Sequence, residues 1–231
     1  MQIIPVLDIK DGVVVRGQGG DRANYRPIVT PLAAGSEPVA VAKGLMSLAD
    51  FPAFYIADLD AIEGRAPNAA ALADLLEAFP QPQFWIDAGV RTRSDVNRIL
   101  AVPRQVAVIG SESIADASVA TGLAGEGRAV LSLDFRGETF LGPAELLDDA
   151  ALWPQRVVVM TLAKVGSGAG PDLARLAEIT GRAAGRAVYA AGGVRHGGDV
   201  EALRDAGIAG ALVSTALHDG RLSPATLRGL A

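Results

Sequence analysis

"AGGVRHGGDV", from Ala191 to Val200, repeats "DAGVRTRSDV", from Asp87 to Val96, at an offset of 104 residues. The same offset carries "VAVIGSESI", starting at Val106, onto "GALVSTALH", starting at Gly210, and at 103 "FYIADLDA" from Phe54 falls on "VVVMTLAK" from Val157. Three segments in one order at nearly one spacing describe a duplicated unit. Short apolar runs recur through both copies, and they read as strands near Gln2–Asp8, Ala53–Asp58, Gln83–Asp87, Val106–Gly110, Ala129–Asp134, Arg156–Thr161, Ala187–Ala191 and Gly210–Ser214. Between them "SEPVAVAKGLMSLAD", "NAAALADLLEAF", "RSDVNRILA", "ADASVATGLA", "GPAELLDDAALW", "GPDLARLAEITGRAA" and "GGDVEALRDAG" carry apolar residues near helical spacing. Ser36 and Asp95 serve as N-terminal signals and Pro171 as a first-turn residue. Eight strands alternating with helices imply parallel pairing and right-handed crossovers, and eight such units close a barrel. The expected fold is a single α/β domain over residues 1–231, a (βα)8 TIM barrel of two half-barrels, about 1–125 and 126–231. An open doubly wound sheet is the alternative.

Composition agrees with one such domain. Half of the 231 residues are hydrophobic but only 5% aromatic, as expected of parallel strands buried under helices. The absence of Cys excludes disulfides and thiolate chemistry. A net charge of −5 argues against a nucleic-acid surface. No apolar run has the roughly 18 residues of a membrane span, and "MQIIPVLD" does not resemble a signal peptide. A soluble cytoplasmic protein without membrane partners is expected.

A further repetition concerns chemistry. "LDIKDGVVVRG", Leu7 to Gly17, is echoed by "LDFRGETFLG", Leu133 to Gly142, so that Asp8 and Asp134 stand 126 residues apart. This fits the half-barrel pattern if the first half holds about 22 extra residues, which must lie in Gly17–Glu37. A loop of that length in a compact domain is commonly functional, often a lid. In a barrel, an Asp closing an apolar strand points into the mouth at the C-terminal face. Two opposed carboxylates there divide acid and base work, because repulsion and burial separate their pKa values. The plainer alternative is that each Asp caps its following turn.

With "IIPVLDIKDGVVVRGQGGD", "AGVRTRSDV", "VIGSESI", "LSLDFR" and "AAGGVRHGGDVEAL" in view, the whole chain resembles the HisA/HisF family of histidine-biosynthesis barrels. That resemblance implies acid/base catalysis of the Amadori type. It places the family's first-strand Asp on Asp8, as base, and its fifth-strand Asp on Asp134, as acid or orienting group. It implies no cofactor, and no metal is assigned. It also implies phosphate sites on Gly-rich turns after strands three, four, seven and eight. In the second half these fall on Gly192, Gly193, Ser214 and Thr215, and in the first on Gly110 and Ser111.

Two departures from the family pattern stand out. Where the family reads GGG, this chain reads Asp87, Ala88, Gly89. A carboxylate about 4–5 Å from a phosphate costs several kcal/mol at an effective dielectric near 20. One phosphate, seated in the second half, is therefore expected. Where the family carries an Asp in an R-D-G stretch after strand six, the chain has Thr161 followed by "LAKVGSGAGPD" and offers Lys164 instead. Lys164 is a phosphate contact, a Schiff-base amine of a lyase or synthase, or a solvated cation. Asp58, Asp60 and Glu63, with Asp8, Asp87 and Asp134, are expected to ring the mouth with acid, a ring suited to a divalent metal through oxygen ligands or to a cationic, amine-bearing substrate. Arg16 and Arg22, or alternatively Arg136, Arg91 and Arg195, are candidate clamps for an anionic group. His196 and His218 are expected at the surface.

The sequence thus points to a HisA/HisF-like enzyme acting on a small phosphorylated, amine- or carbonyl-bearing metabolite. The altered motifs resemble divergent relatives in methanogens and methylotrophs linked to one-carbon cofactor pathways. The ribotide isomerase of histidine biosynthesis and a non-catalytic binding barrel are the alternatives.

Overall fold

The computed structural model describes residues 1–17 and 21–230. Eight parallel strands close a barrel: Gln2–Lys10, Ala53–Asp58, Gln83–Asp87, Gln105–Gly110, Ala129–Arg136, Arg156–Thr161, Ala187–Ala191 and Gly210–Val213. The first strand pairs with the second, Val6 opposite Tyr55, and with the eighth, Ile4 opposite Leu212, so no barrel edge is left open.

The strands are predominantly apolar on both sides because both of their faces are covered, with charged residues concentrated toward their ends. Alternate residues fall into two separate buried sets, as the two-residue period of a strand requires. Ile4, Tyr55, Trp85, Val108, Val130, Val158, Tyr189 and Leu212 fill the barrel interior. Leu7, Phe54, Ile86, Ile109, Leu131, Val159, Val188 and Val213 face the outer helices. Those helices present apolar residues at helical spacing, for example Val41 and Leu45 on Pro38–Met46, and Leu176 and Ile179 on Leu173–Arg182. Burying such a side chain contributes about 1.5–3 kcal/mol.

Two expected helices are much reduced. "ADASVATGLA" forms only the 3-10 turn Ala117–Val119, and "GPAELLDDAALW" only Glu145–Asp148 followed by Ala150–Leu152. Asp116 and Asp149 each bond a backbone N–H two residues on, at 2.7 and 2.9 Å. Those side chains close turns that compete with helix propagation. The helix starts differ too. Thr92, not Asp95 alone, caps Arg93–Leu100 in a reciprocal capping box with Asp95. Glu37, not Ser36, is the residue that precedes the helix at Pro38, and Asp172 caps Leu173–Arg182, so that Pro171 stands before the helix and not in its first turn.

Strands one and five outrun the barrel and fold back as hairpins. Asp11 and Gly12, at φ +51° and +80°, return the first strand into Val13–Arg16. Gly137, at φ +60°, returns the fifth into Thr139–Leu141. Asp8 pairs with Val15 and Asp134 with Leu141, so both hairpin pairings recur at the offset of 126. The expected 17–37 loop follows this hairpin: it contains the 3-10 turn Arg22–Asn24 and the short strand Arg26–Pro27, which pairs on Val13–Arg16. Residues 18–20 of that loop lie outside the described residues. Among the described residues no helix is long and apolar enough to cross a membrane.

Candidate active site

Strand parity decides which of the expected residues reach the barrel mouth. Counting by twos from interior Val6, Trp85 and Val130 leads to Asp8, Asp87 and Asp134. Counting from interior Ala57 and Met160 leaves Asp58 and Thr161 on the outer face. A cavity of about 460 Å³ opens at this end, and Asp8, Asp87, Tyr55, Arg22 and Tyr25 line one side of it. Its other side is formed by Lys164, Gly166, Gly192, Gly193, Ser214 and Thr215, with Arg16, Arg195 and Arg221 at the margin.

The acidic side is strongly perturbed. Burial pushes Asp8 up to about 7; Arg22 works against that shift and Asp87 adds to it. Burial raises Asp87 as well, while hydrogen bonds from the Tyr55 hydroxyl (2.9 Å) and the Gly89 amide (3.3 Å) hold it down. Tyr55, buried beneath three carboxylates, is pushed far above the ordinary tyrosine range by desolvation and by the charges of Asp87 and Asp134. Gly17 lies directly over Asp8, and a Cβ there would stand 2.6 Å from the carboxylate Oδ2. Arg22 arrives from the excursion after strand one, where Lys10 Nζ donates to its carbonyl at 2.9 Å, and its guanidinium is ion-paired with Glu112.

Asp134 occupies a different position from the one expected. It is 5% exposed and does not line the cavity. Its carboxylate accepts from Ser132 Oγ (2.6 Å) and the Glu112 amide (3.1 Å), and Ser111 Oγ lies 3.3 Å away. Burial still raises it to about 7 against those bonds. The expectation that Asp8 and Asp134 face one another across the mouth is corrected accordingly: Asp87 is the carboxylate that shares the cavity with Asp8.

Several other expectations change. Asp58 is fully buried on the outer face, where it accepts from Ala61 N (3.2 Å), Asn68 N (2.8 Å) and Asn68 Nδ2 (2.7 Å). Asp60 accepts from Asp11 N at 2.7 Å and pairs with Arg65, and Glu63 pairs with Arg65 and Lys10. These three acids brace loops and do not line the cavity. Ser111 is fully buried and donates to the Leu141 carbonyl at 2.6 Å, so its hydroxyl is engaged inside the protein, and neither it nor Gly110 lines the cavity. Thr161 is buried off the cavity. Arg136 and Arg91 are exposed and do not line it. Arg195 is held by Asp199 through three bonds of 2.7–2.9 Å. His196 is exposed, but His218 is not at the surface: it is 1% exposed, bonded through Nδ1 to Thr30 Oγ1 at 3.0 Å. Burial, reinforced by Arg16, pushes His218 down to about 4.

The opposite wall is suited to an anion. Gly192 and Gly193 have φ of +98° and +90°, and a Cβ on Gly192 would meet the Thr161 carbonyl at 2.8 Å, so only glycine lets this turn pack under the 162–170 loop. Among the described residues no acceptor is found for the Gly193 or Thr215 amides, nor any hydrogen-bond or ion-pair partner for Lys164 Nζ. Arg16 is shared with Asp219 at 3.2 Å. On the first-half side the turn amides are already taken, Gly89 by Asp87 and Glu112 by Asp134. Among the described residues no group of three or more His, Asp or Glu side chains is arranged to hold a metal ion.

Sequence reading by itself passed over Tyr55, Tyr25 and Glu112. Tyr55 was accessible to the same parity count, two residues before Ala57. Glu112 was not, because its role depends on Arg22 reaching it from another loop.

Over residues 2–223 the chain matches the family described as histidine biosynthesis protein. It is 30% identical over 230 residues to an uncharacterized protein of Methanocaldococcus jannaschii, covering 96% of this chain and 95% of that one. It is 30% identical over 242 residues to a 1-(5-phosphoribosyl)-5-((5-phosphoribosylamino)methylideneamino) imidazole-4-carboxamide isomerase of Myxococcus xanthus, covering 96% and 95%. The protein of that name from Chromohalobacter salexigens is 29% identical over 250 residues, covering 100% and 96%.

Proposed function

This chain belongs to the histidine biosynthesis protein family, and from that premise we propose that it is an isomerase-like enzyme using acid/base chemistry on a metabolite with a single phosphate. The observation that carries the reading is the asymmetry of the cavity. Asp8 and the glycine-rich wall of Gly192, Gly193, Ser214 and Thr215 share one space, while the first-half turn amides are occupied by the protein's own carboxylates. The substrate named for the isomerase relatives carries two phosphoribosyl groups. Here a second phosphate would have to displace Asp87 from the Gly89 amide.

The phosphate sits on the Gly193 and Thr215 amides, with Lys164 as its counter-charge. The other end of the substrate, an amine-bearing or carbonyl-bearing carbon, lies against the acidic side. Asp8, poised near neutrality, removes a proton from the carbon next to the imine or carbonyl. Asp134 orients the site from below through Ser111 and Glu112. These departures support a finer assignment, to a one-carbon cofactor pathway outside histidine biosynthesis. The full-length match to named isomerases favours a second reading, the ribotide isomerase itself.

Expression in a histidine auxotroph lacking the isomerase separates the two. The first reading expects no growth, together with tighter binding of sugar monophosphates than of bisphosphates by calorimetry. Growth, or bisphosphate binding with both phosphates seated, would overturn it.

A further inference from the structure

We infer that Asp87, at the end of the third barrel strand, is the proton-transfer partner of Asp8, and that Asp134 is a positioning residue. The inference rests on the acid/base reading above and assigns its second participant.

Position comes first. Asp8 is in register with Ala57, and Ala57 with Asp87, so the two acids stand on either side of one small residue across three adjacent strands. Strands are about 4.8 Å apart, which sets the two Cα atoms near 10 Å from each other. Both side chains point inward over Ala57, whose methyl group leaves a gap floored by the Tyr55 hydroxyl. Asp8, Ala57, Asp87 and Tyr55 all line the cavity, whereas Asp134 does not. One substrate carbon and its attached oxygen fit between the acids, one carboxyl on each side.

Hydrogen bonding separates the roles further. Asp134 is held off the cavity by the buried Ser132 hydroxyl at 2.6 Å and the Glu112 amide at 3.1 Å, which makes it an ordering group. Asp87 has one strong donor, Tyr55 Oη, and a long contact from Gly89. Asp8 accepts no side-chain hydrogen bond among the described residues. The charged groups around the pair are Arg22 from the first excursion, Glu112 after strand four, Asp134 on strand five and Tyr55 on strand two. Arg22 is already tied to Glu112, so it damps the pair's repulsion without cancelling it. The sixth-strand loop brings Lys164 to the cavity and no carboxylate, which leaves the acid's role to a group elsewhere on the wall.

For an N-substituted aldosylamine phosphate the cycle closes without a co-reactant. Protonated Asp87 gives its proton to the ring oxygen as the C1–O bond breaks and the nitrogen lone pair forms C1=N. Asp8 carboxylate then takes the C2 proton, and the C–H electron pair becomes C1=C2, neutralising the iminium. Asp8 returns that proton to C1 while Asp87 collects the proton of the C2 hydroxyl, leaving a ketone and both acids in their starting states.

The test uses the full chain with an N-aryl ribosylamine 5-phosphate as probe, following kcat against pH and solvent deuterium uptake at C1. Asp87→Asn is expected to lower kcat by about 10²–10⁴-fold and to remove one limb of the pH profile, with Asp87→Glu restoring part of both. Asp134→Asn is expected to keep both limbs. Tyr55→Phe, which removes the bond holding Asp87 down, moves the Asp87 limb to higher pH. Loss of a limb in Asp134→Asn with both limbs kept in Asp87→Asn would overturn the inference. If the wild type leaves the probe unchanged, it is the functional reading that fails. The pairing is then decided by carbon NMR titration of the Asp8 carboxyl: a midpoint lowered by Asp87→Asn and unmoved by Asp134→Asn supports it, and the reverse pattern refutes it.

Discussion

Replacing Asp8 by Asn should make the folded protein more stable, and by more at pH 8 than at pH 5. In the folded chain Asp8 titrates at about 7, against 3.8 for an unperturbed aspartate, because burial disfavours its charge. The sign follows from proton linkage. Between those two values the native state holds a proton that the unfolded chain has released, so stability is full below about 3.8 and is lost as pH rises through about 7. A displacement of roughly three pH units corresponds to about 4 kcal/mol once both states are ionised, and to about 2 kcal/mol at pH 5. Asn approximates the neutral acid, so Asp8→Asn recovers up to these amounts. Urea unfolding at pH 5, 6, 7 and 8 measures the effect as a shift in midpoint at constant m-value. The wild type should lose stability across this range, and the variant should lose about 2 kcal/mol less between the extremes. A variant that tracks the wild type at every pH, or one less stable at pH 8 than at pH 5 by the wild-type margin, would show that Asp8 is ionised at little cost, and the poised-base argument would fall with it.

Two further perturbations probe the surroundings. Asp58→Ala empties a fully buried site and strands three part-buried donors, Ala61 N, Asn68 N and Asn68 Nδ2, and should cost about 1–3 kcal/mol with little change in activity per folded molecule, read by denaturant midpoint and kcat together. Arg22→Met removes the cation that holds Asp8 down, so the Asp8 midpoint should rise further and the alkaline shift of the pH–rate profile should report it.

Much of this protein was legible in its residues, for physical reasons that differ from element to element. The repeated GVR segments and the eight apolar runs led to the barrel, because strands covered on both faces are predominantly apolar and eight consecutive βα units close a barrel. The 126-residue spacing of Asp8 and Asp134 reappears in the hairpin registers, since both strands outrun the barrel rim by the same amount. Parity could also have been counted from the sequence: Asp58 and Asp87 each end an apolar run, yet only Asp87 lies an even number of residues from an interior side chain.

The sequence by itself therefore determined the barrel architecture and the set of acids at or near the strand ends from which the mouth is drawn. Tertiary structure decided what each acid does. Ser132 and the Glu112 amide draw Asp134 off the cavity, Asn68 and Ala61 consume Asp58, and Thr30 encloses His218. A carboxylate's pKa and reach depend on which donors and charges surround it in three dimensions. Those neighbours come from strands and loops remote in the chain, at distances no local pattern encodes.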